Sequence, residues 1–274
     1  MKRYLLAFFK GFIIGTLMIV PGLSGGTIAV ILGIYTSLVE AASNIFKDFK
    51  RNFLFLLSFI LGTLPGFFIS SNLMGAILEQ HAVIIVFLFA GLILAGLPVV
   101  ARQAKIKHFN WKHILAILIG TGIVIGITFL PEGNTSVLSG AEIKFIDVLF
   151  LIIVGFSVCV SIVLPGISTF HVLYVYGLYE EVTKAIANLD VLFLLPLVLT
   201  VLIGALMLAK IVNYCLKKFP EIVYCVIIGF VIASVFVLFK EAPQGIEWLW
   251  ALLLFAFGLI GGYFLMNKIP HKED

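Results

Sequence analysis

Two serines sit in nearly the same surroundings at two points of the chain. Ser24 lies in V-P-G-L-S-G-G-T, residues 20–27, and Ser168 in L-P-G-I-S-T-F-H, residues 164–171. In each case a proline without an N–H stops the incoming helix about one residue early. A glycine, Gly22 or Gly166, then permits a tight reversal, and the serine is a favoured N-cap for an outgoing helix. Beyond the serines, Gly25, Gly26 and Thr27 in one tip and Thr169 in the other leave N–H groups and hydroxyls free. Donors at the positive end of a helix dipole suit an anion, phosphate above all. Each dipole contributes only about 0.3–2 kcal/mol, so a dianion needs further help. His171, three residues after Ser168, is the ionisable group at hand. Protonated it would pair with phosphate, and neutral it is an ordinary packed histidine. Cys159, Cys215 and Cys225 have no metal-ligand spacing, so neither a metal nor a cofactor is expected.

These tips must be held by elements that live in lipid. Of 274 residues, 62% are hydrophobic and 12% charged, with a mean hydropathy of +1.21. Soluble domains carry roughly 25% charged residues, so the composition is that of a polytopic all-α membrane protein, and nothing in it suggests nucleic acid as a partner. Apolar runs at 53–71, 82–101, 112–130, 191–209, 222–239 and 248–266 are each long enough to cross a bilayer. The start, Met1-Lys2-Arg3 before an apolar run, resembles a signal peptide but has no small-x-small cleavage site before Pro21, and is read as mature structure.

The chain is a duplication. At an offset of 144, Gly11/Gly155, Phe12/Phe156, Pro21/Pro165, Gly22/Gly166, Ser24/Ser168, Gly33/Gly177, Tyr35/Tyr179, Ala41/Ala185 and Asn44/Asn188 are identical. Six extra residues near 46–51 then change the offset to 138, and Gly66, Gly91, Ala95 and Gly120 match Gly204, Gly229, Ala233 and Gly258. From Ser168 to Tyr179 a helix rises about 18 Å, and from Ser24 to Val39 about 24 Å, both short of a hydrocarbon core of about 30 Å. The expected fold is therefore two inverted-topology repeats, each a re-entrant hairpin plus three transmembrane helices, with the tips converging near the midplane. Repeat 1 covers 1–130, with its hairpin at 5–40. An external linker covers 131–147. Repeat 2 covers 148–268, with its hairpin at 148–180, and 269–274 form a cytoplasmic tail. Charge agrees with both termini inside: Lys144, Lys184 and Lys240 are the only outer cations among 18 basic residues.

The runs P-G-L-S-G-G-T-I-A-V-I-L-G-I-Y at 21–35 and P-G-I-S…G-L-Y-E at 165–180 resemble a bacterial membrane family once catalogued as a domain of unknown function, whose members are assigned as undecaprenyl-phosphate translocases. The resemblance covers nearly the whole chain. It implies a flippase, not an enzyme, which returns the polyprenyl-phosphate carrier of cell-wall synthesis from the outer to the cytoplasmic leaflet of the bacterial cell membrane. Carried over by position, the motif residues are Pro21, Gly22, Ser24, Gly25, Gly26, Thr27, Pro165, Gly166, Ser168 and Glu180, the last a possible gate. Thr169-Phe170-His171 departs from the small S-G-S-like tip usual there. Undecaprenyl-diphosphate phosphatases look similar in plan, but they have an arginine beside the serine and membrane-embedded glutamates. Here Gly25 and Thr169 follow the serines. The G-x-S-G of intramembrane serine proteases also matches 22–25, but His171, the only base at that depth, lies on the other tip. A secondary transporter of a small soluble anion is the remaining alternative. Energy coupling, the exact lipid and the oligomeric state have no signature in the sequence.

Overall fold

The computed structural model describes every residue except 1, 19, 21–22, 107, 134–144, 240–241 and 269–274, together with the side chains of 72–80 and 265–268. The described residues form helices and no strands. In chain order these are α1 (Lys2–Leu17), α2 (Gly25–Ile31), α3 (Tyr35–Ser43), α4 (Phe49–Gln103), α5 (Trp111–Thr128), α6 (Phe145–Val163), α7 (Thr169–Val175), α8 (Tyr179–Ala187), α9 (Val191–Lys218), α10 (Pro220–Leu238) and α11 (Glu247–Lys268). Helix α4 leaves helical geometry at His81 (φ −133°, ψ 24°), which divides it into spans Phe49–Ser71 and His81–Gln103. Seven helices are long and apolar enough to cross a membrane: the two halves of α4, α5, α6, α9, α10 and α11. Phe9, Phe68, Leu118, Leu202 and Phe257 are exposed on the outside of this bundle, as a hydrocarbon solvent permits.

The helices pair in register through glycine. A Cβ on Gly91 would fall on the Phe255 carbonyl, and one on Gly258 would fall on that of Leu88, so the second half of α4 lies backbone to backbone with α11. The same contact recurs between α5 and α10, where Gly229 meets the Ile117 carbonyl and Gly120 that of Val226. These two pairings are images of each other under the 138-residue offset. In lipid, where no hydrophobic force joins apolar helices, such close approach through small residues is what holds them together. Gly11, Gly15, Gly62 and Gly66 seat α1 against the first half of α4 in the same way, and Gly155 and Gly204 seat α6 against α9. At one end of the bundle, the Asn110 N–H donates to His113 Nδ1 (3.1 Å). That leaves Nε2 to donate to Glu221 (3.3 Å), tying the start of α5 to the start of α10.

The hairpin arms depart from expectation. The outgoing arms from Ser24 to Val39 and from Ser168 to Tyr179 are not continuous half-helices. The first ends as α2 after seven residues, and α3 leaves at 111° to it. The second ends as α7, again after seven residues, before α8. The cause is Gly33 and Gly177, both at φ 64°. Gly33 N–H donates to the Val30 carbonyl and Ile34 N–H to that of Ala29. Gly177 and Leu178 repeat the pattern onto Tyr174 and Leu173. Each is a left-handed glycine stop with its paired 5→2 and 6→1 bonds, and the following Ile34 or Leu178 is buried beneath it. A seven-residue helix rises only about 10 Å, whereas the sixteen residues of α1 rise about 24 Å. Each P-G-x-S tip thus follows a long helix and precedes a seven-residue one.

Candidate functional site

The two tips meet. An added Cβ on Gly26 would stand 3.0 Å from Pro165 Cα and 3.4 Å from Pro165 N, so a side chain there fits only if the backbone of the second tip gives by a few tenths of an ångström. Pro165 is fully buried. Gly166 takes φ +88° and lies against the Phe230 carbonyl and Val124, which wedges the second tip between α10 and α5. Gly25 packs on the Met18 thioether. Pro21 and Gly22 lie outside the described residues.

The polar groups of the tips are used unequally. Ser24 occupies the N-cap of α2 with extended backbone and is buried, but its side chain makes no capping bond among the described residues. Ser168 does cap: its Oγ accepts from the His171 N–H at 3.4 Å. The expectation of two equivalent serine caps is therefore met in one tip only. Thr169 Oγ1 lies 3.0 Å from Ser161 Oγ, which itself donates to the Val158 carbonyl. The remaining proton in that pair thus comes from Thr169. His171 Nε2 donates to the Ile127 carbonyl near the end of α5 (3.1 Å), so its proton on that nitrogen is already engaged. Thr27, at the position equivalent to His171, has no exposed surface, and its hydroxyl has no hydrogen-bond partner among the described residues. A buried hydroxyl left unpaired costs about 1–3 kcal/mol. Glu180 is remote from this cluster in character: it opens α8, is well exposed and pairs with Lys184 one turn on (3.2 Å).

Three further contacts complete the surroundings. Tyr35 is buried, and its hydroxyl donates to the Val163 carbonyl (3.0 Å), one of the acceptors orphaned where α6 stops before Pro165. Lys10 Nζ donates to the Leu32 carbonyl at the C-terminal end of α2 (2.6 Å), so this lysine ties α1 to the end of α2. Thr36 Oγ1 and Tyr224 Oη are 3.2 Å apart. The sequence signal for Tyr35 was its identity with Tyr179. Lys10 has Val154 as its counterpart, so the duplication offers no signal for it.

A family described as undecaprenyl phosphate translocase-like matches residues 14–251, nearly the whole duplicated unit with both tips. The chain belongs to this family. It is 35% identical over 260 residues to a polyprenyl-phosphate transporter of Staphylococcus aureus, covering 92% of each protein. It is 28% identical over 246 residues to a polyprenyl-phosphate transporter of Vibrio cholerae, covering 85% of this chain and 76% of that one. No solved structure matches. The members of this family thus share with the chain the stretch that carries the interlocked tips.

Proposed function

We propose that the protein is a flippase for a polyprenyl phosphate, undecaprenyl phosphate in particular, carrying it from the outer to the cytoplasmic leaflet. The reading is carried by the meeting of the two tips, Gly26 on Pro165, beside a buried and unpartnered Thr27 hydroxyl. This cluster is polar and small, with His171 beside it as an ionisable side chain. A phosphate headgroup takes hydrogen bonds from Ser24, Thr27, Ser168, Thr169 and the N–H groups of Gly25 and Gly26, while the isoprenoid tail stays in lipid. With few charges on the path, the headgroup binds loosely enough to leave. Pro21, Gly22, Pro165 and Gly166 shape the tips, and His171 adds a proton donor when its bond to Ile127 is released.

Such a cycle calls for an inverted, re-entrant arrangement of the two repeats. The C-terminal end of α9 lies beside α3, through Asn213–Ser43 and Lys217–Glu40. Lys47, Lys50, Arg51, Lys217 and Lys218 gather on that side, which marks it as cytoplasmic. The phosphatase reading has less support, because a serine nucleophile or phosphoryl transfer needs a cation and an acid or base at the site.

The test is reconstitution. In vesicles holding labelled polyprenyl phosphate, an impermeant external phosphatase should consume only the outer-leaflet lipid without the protein and all of it with the protein. Equal consumption in both would overturn the reading. Release of phosphate from the diphosphate lipid by the purified protein would point to the phosphatase instead. In cells, loss of the protein should leave the lipid phosphate displayed on the outer surface.

A further inference from the structure

The second half of α4 and helix α11 run parallel. A Cβ on Gly258 would fall on the Leu88 carbonyl and one on Gly262 on the Ala95 side chain, so residue numbers rise together along the contact. The two helices therefore end on the same side of the bundle, at Gln103 and Lys268. Helix α4 begins beside Lys47, Lys50 and Arg51 and crosses twice, which returns its end to that cytoplasmic side. A groove of about 420 Å³ lies between the two helices, lined by Leu94, Ala95, Pro98, Ile260, Tyr263 and Phe264. Its volume is that of a ligand pocket, about 300–1,000 Å³. Pro98, Ile260, Tyr263 and Phe264 are exposed, so the groove opens onto the bilayer. Leu94 and Pro98 stand four residues apart on α4, and the next residue in that row is Arg102, exposed in the last turn. On α11, Lys268 closes the helix four residues after Phe264.

We propose that this groove holds the tail of a polyprenyl phosphate in the cytoplasmic leaflet, with the phosphate at Arg102. The inference rests on the flippase reading and adds to it a second lipid site, away from the tips. A lipid reaches the groove sideways from the bilayer and needs no passage through the protein. What sets it apart from the rest of the lipid-facing surface is a concave apolar wall that ends one helical turn before a cation. Basic side chains at the cytoplasmic ends of membrane helices attract anionic headgroups, and the arginine fork matches phosphate in particular. Tyr263, apolar in body and polar at its tip, suits the level where tail gives way to headgroup. A single groove takes a single chain. Polyprenyl phosphate has one chain and a terminal phosphomonoester, whereas a glycerophospholipid brings two acyl chains and a phosphodiester. The same half of α4 also packs on the first hairpin, where Gly96 lies against Ile31 of α2. A lipid in the groove is thus one helix removed from the hairpin that carries Gly26.

The test uses the full chain in phosphatidylcholine nanodiscs containing trace undecaprenyl phosphate with a diazirine on its tail. After irradiation, crosslinks mapped by mass spectrometry should concentrate on residues 94–98 and 260–264. Ile260→Trp, which fills the groove, should remove most of them, whereas Leu118→Trp, at an exposed position on α5, should leave them unchanged. At sub-saturating lipid, Arg102→Gln should lower the yield about fivefold, and Arg102→Lys should keep most of it. Crosslinks spread evenly over the lipid-facing helices would overturn the site, as would an equal yield from the uncharged polyprenol. An equal yield from a diacyl phosphatidylglycerol carrying the same diazirine would overturn the assigned occupant and leave a general anionic-lipid site. If the parent moves no polyprenyl phosphate in the vesicle assay, the flippase reading fails, while the crosslinking map still decides the groove.

Discussion

Gly26 and Phe170 occupy the same place in the two repeats, yet one touches the backbone of the opposite tip and the other is open to its surroundings. Thr27 and His171 form a second such pair: a sealed hydroxyl without a partner against an imidazole bonded to Ile127. Tyr35 and Tyr179 are identical residues, but only Tyr35 caps a carbonyl of the other repeat. Duplication thus copied the local chain geometry of the tips without copying their packing. The first tip is docked on the second, and a Cβ at position 26 would have to displace the Pro165 backbone by a few tenths of an ångström. At position 170 the side chain is partly exposed and lies edge-on to Tyr179, where phenylalanine is accommodated.

The comparison breaks most readily at Gly26. Leucine there must push apart two backbones with no flexible side chain to yield, at about 1–3 kcal/mol or more. Gly26→Leu should lower the thermal midpoint in detergent sharply and abolish transport, whereas Phe170→Leu should leave the midpoint close to the parent's. Similar losses in both would mean that the tips are equivalent after all. Gly166→Ala comes next, because it adds strain at φ +88° to a clash with the Phe230 carbonyl. A loss of about 1–3 kcal/mol is expected, measured by chemical unfolding.

Tyr35→Phe should cost about 1–3 kcal/mol by stranding the Val163 carbonyl. Tyr179→Phe should cost little, which makes the pair a direct reading of the asymmetry. Thr27→Val removes a hydroxyl that has no described partner, so stability should hold or rise slightly. On the proposed reading, in which this hydroxyl meets the headgroup, transport should fall. Unchanged transport would take Thr27 out of the site. The smallest effect is expected at Glu180→Gln: its partner Lys184 is exposed, so unfolding should be unchanged.

Much of the architecture was legible without coordinates. Each of the six apolar runs coincides with a helix to within two residues at its end, and the breaks at P-G-x-S fall where helices stop. Proline and glycine act there through the backbone alone. Gly33 and Gly177 were equally visible as an identical pair, and their meaning as left-handed stops was available from a glycine followed by a buried apolar residue. Treating each outgoing arm as one helix overlooked that signal. Lys10 and the bonds of Thr36, Ser43 and Glu40 to the second repeat were not legible, since their partners lie more than a hundred residues away or carry no repeated pattern.

By itself, then, the sequence determined a lipid solvent from its hydropathy, a duplicated plan from its two P-G-x-S runs, and the sites where helices must end. Each of these follows from local backbone chemistry or from composition, which the chain carries wherever it folds. Only the tertiary structure decided how differently the two tips pack, with Gly26 against Pro165 and Phe170 beside Tyr179, and where α3 bonds to the second repeat. Those outcomes depend on which surfaces of two near-identical units come into contact. That choice belongs to packing between distant segments, where a single Cβ decides whether two backbones can meet.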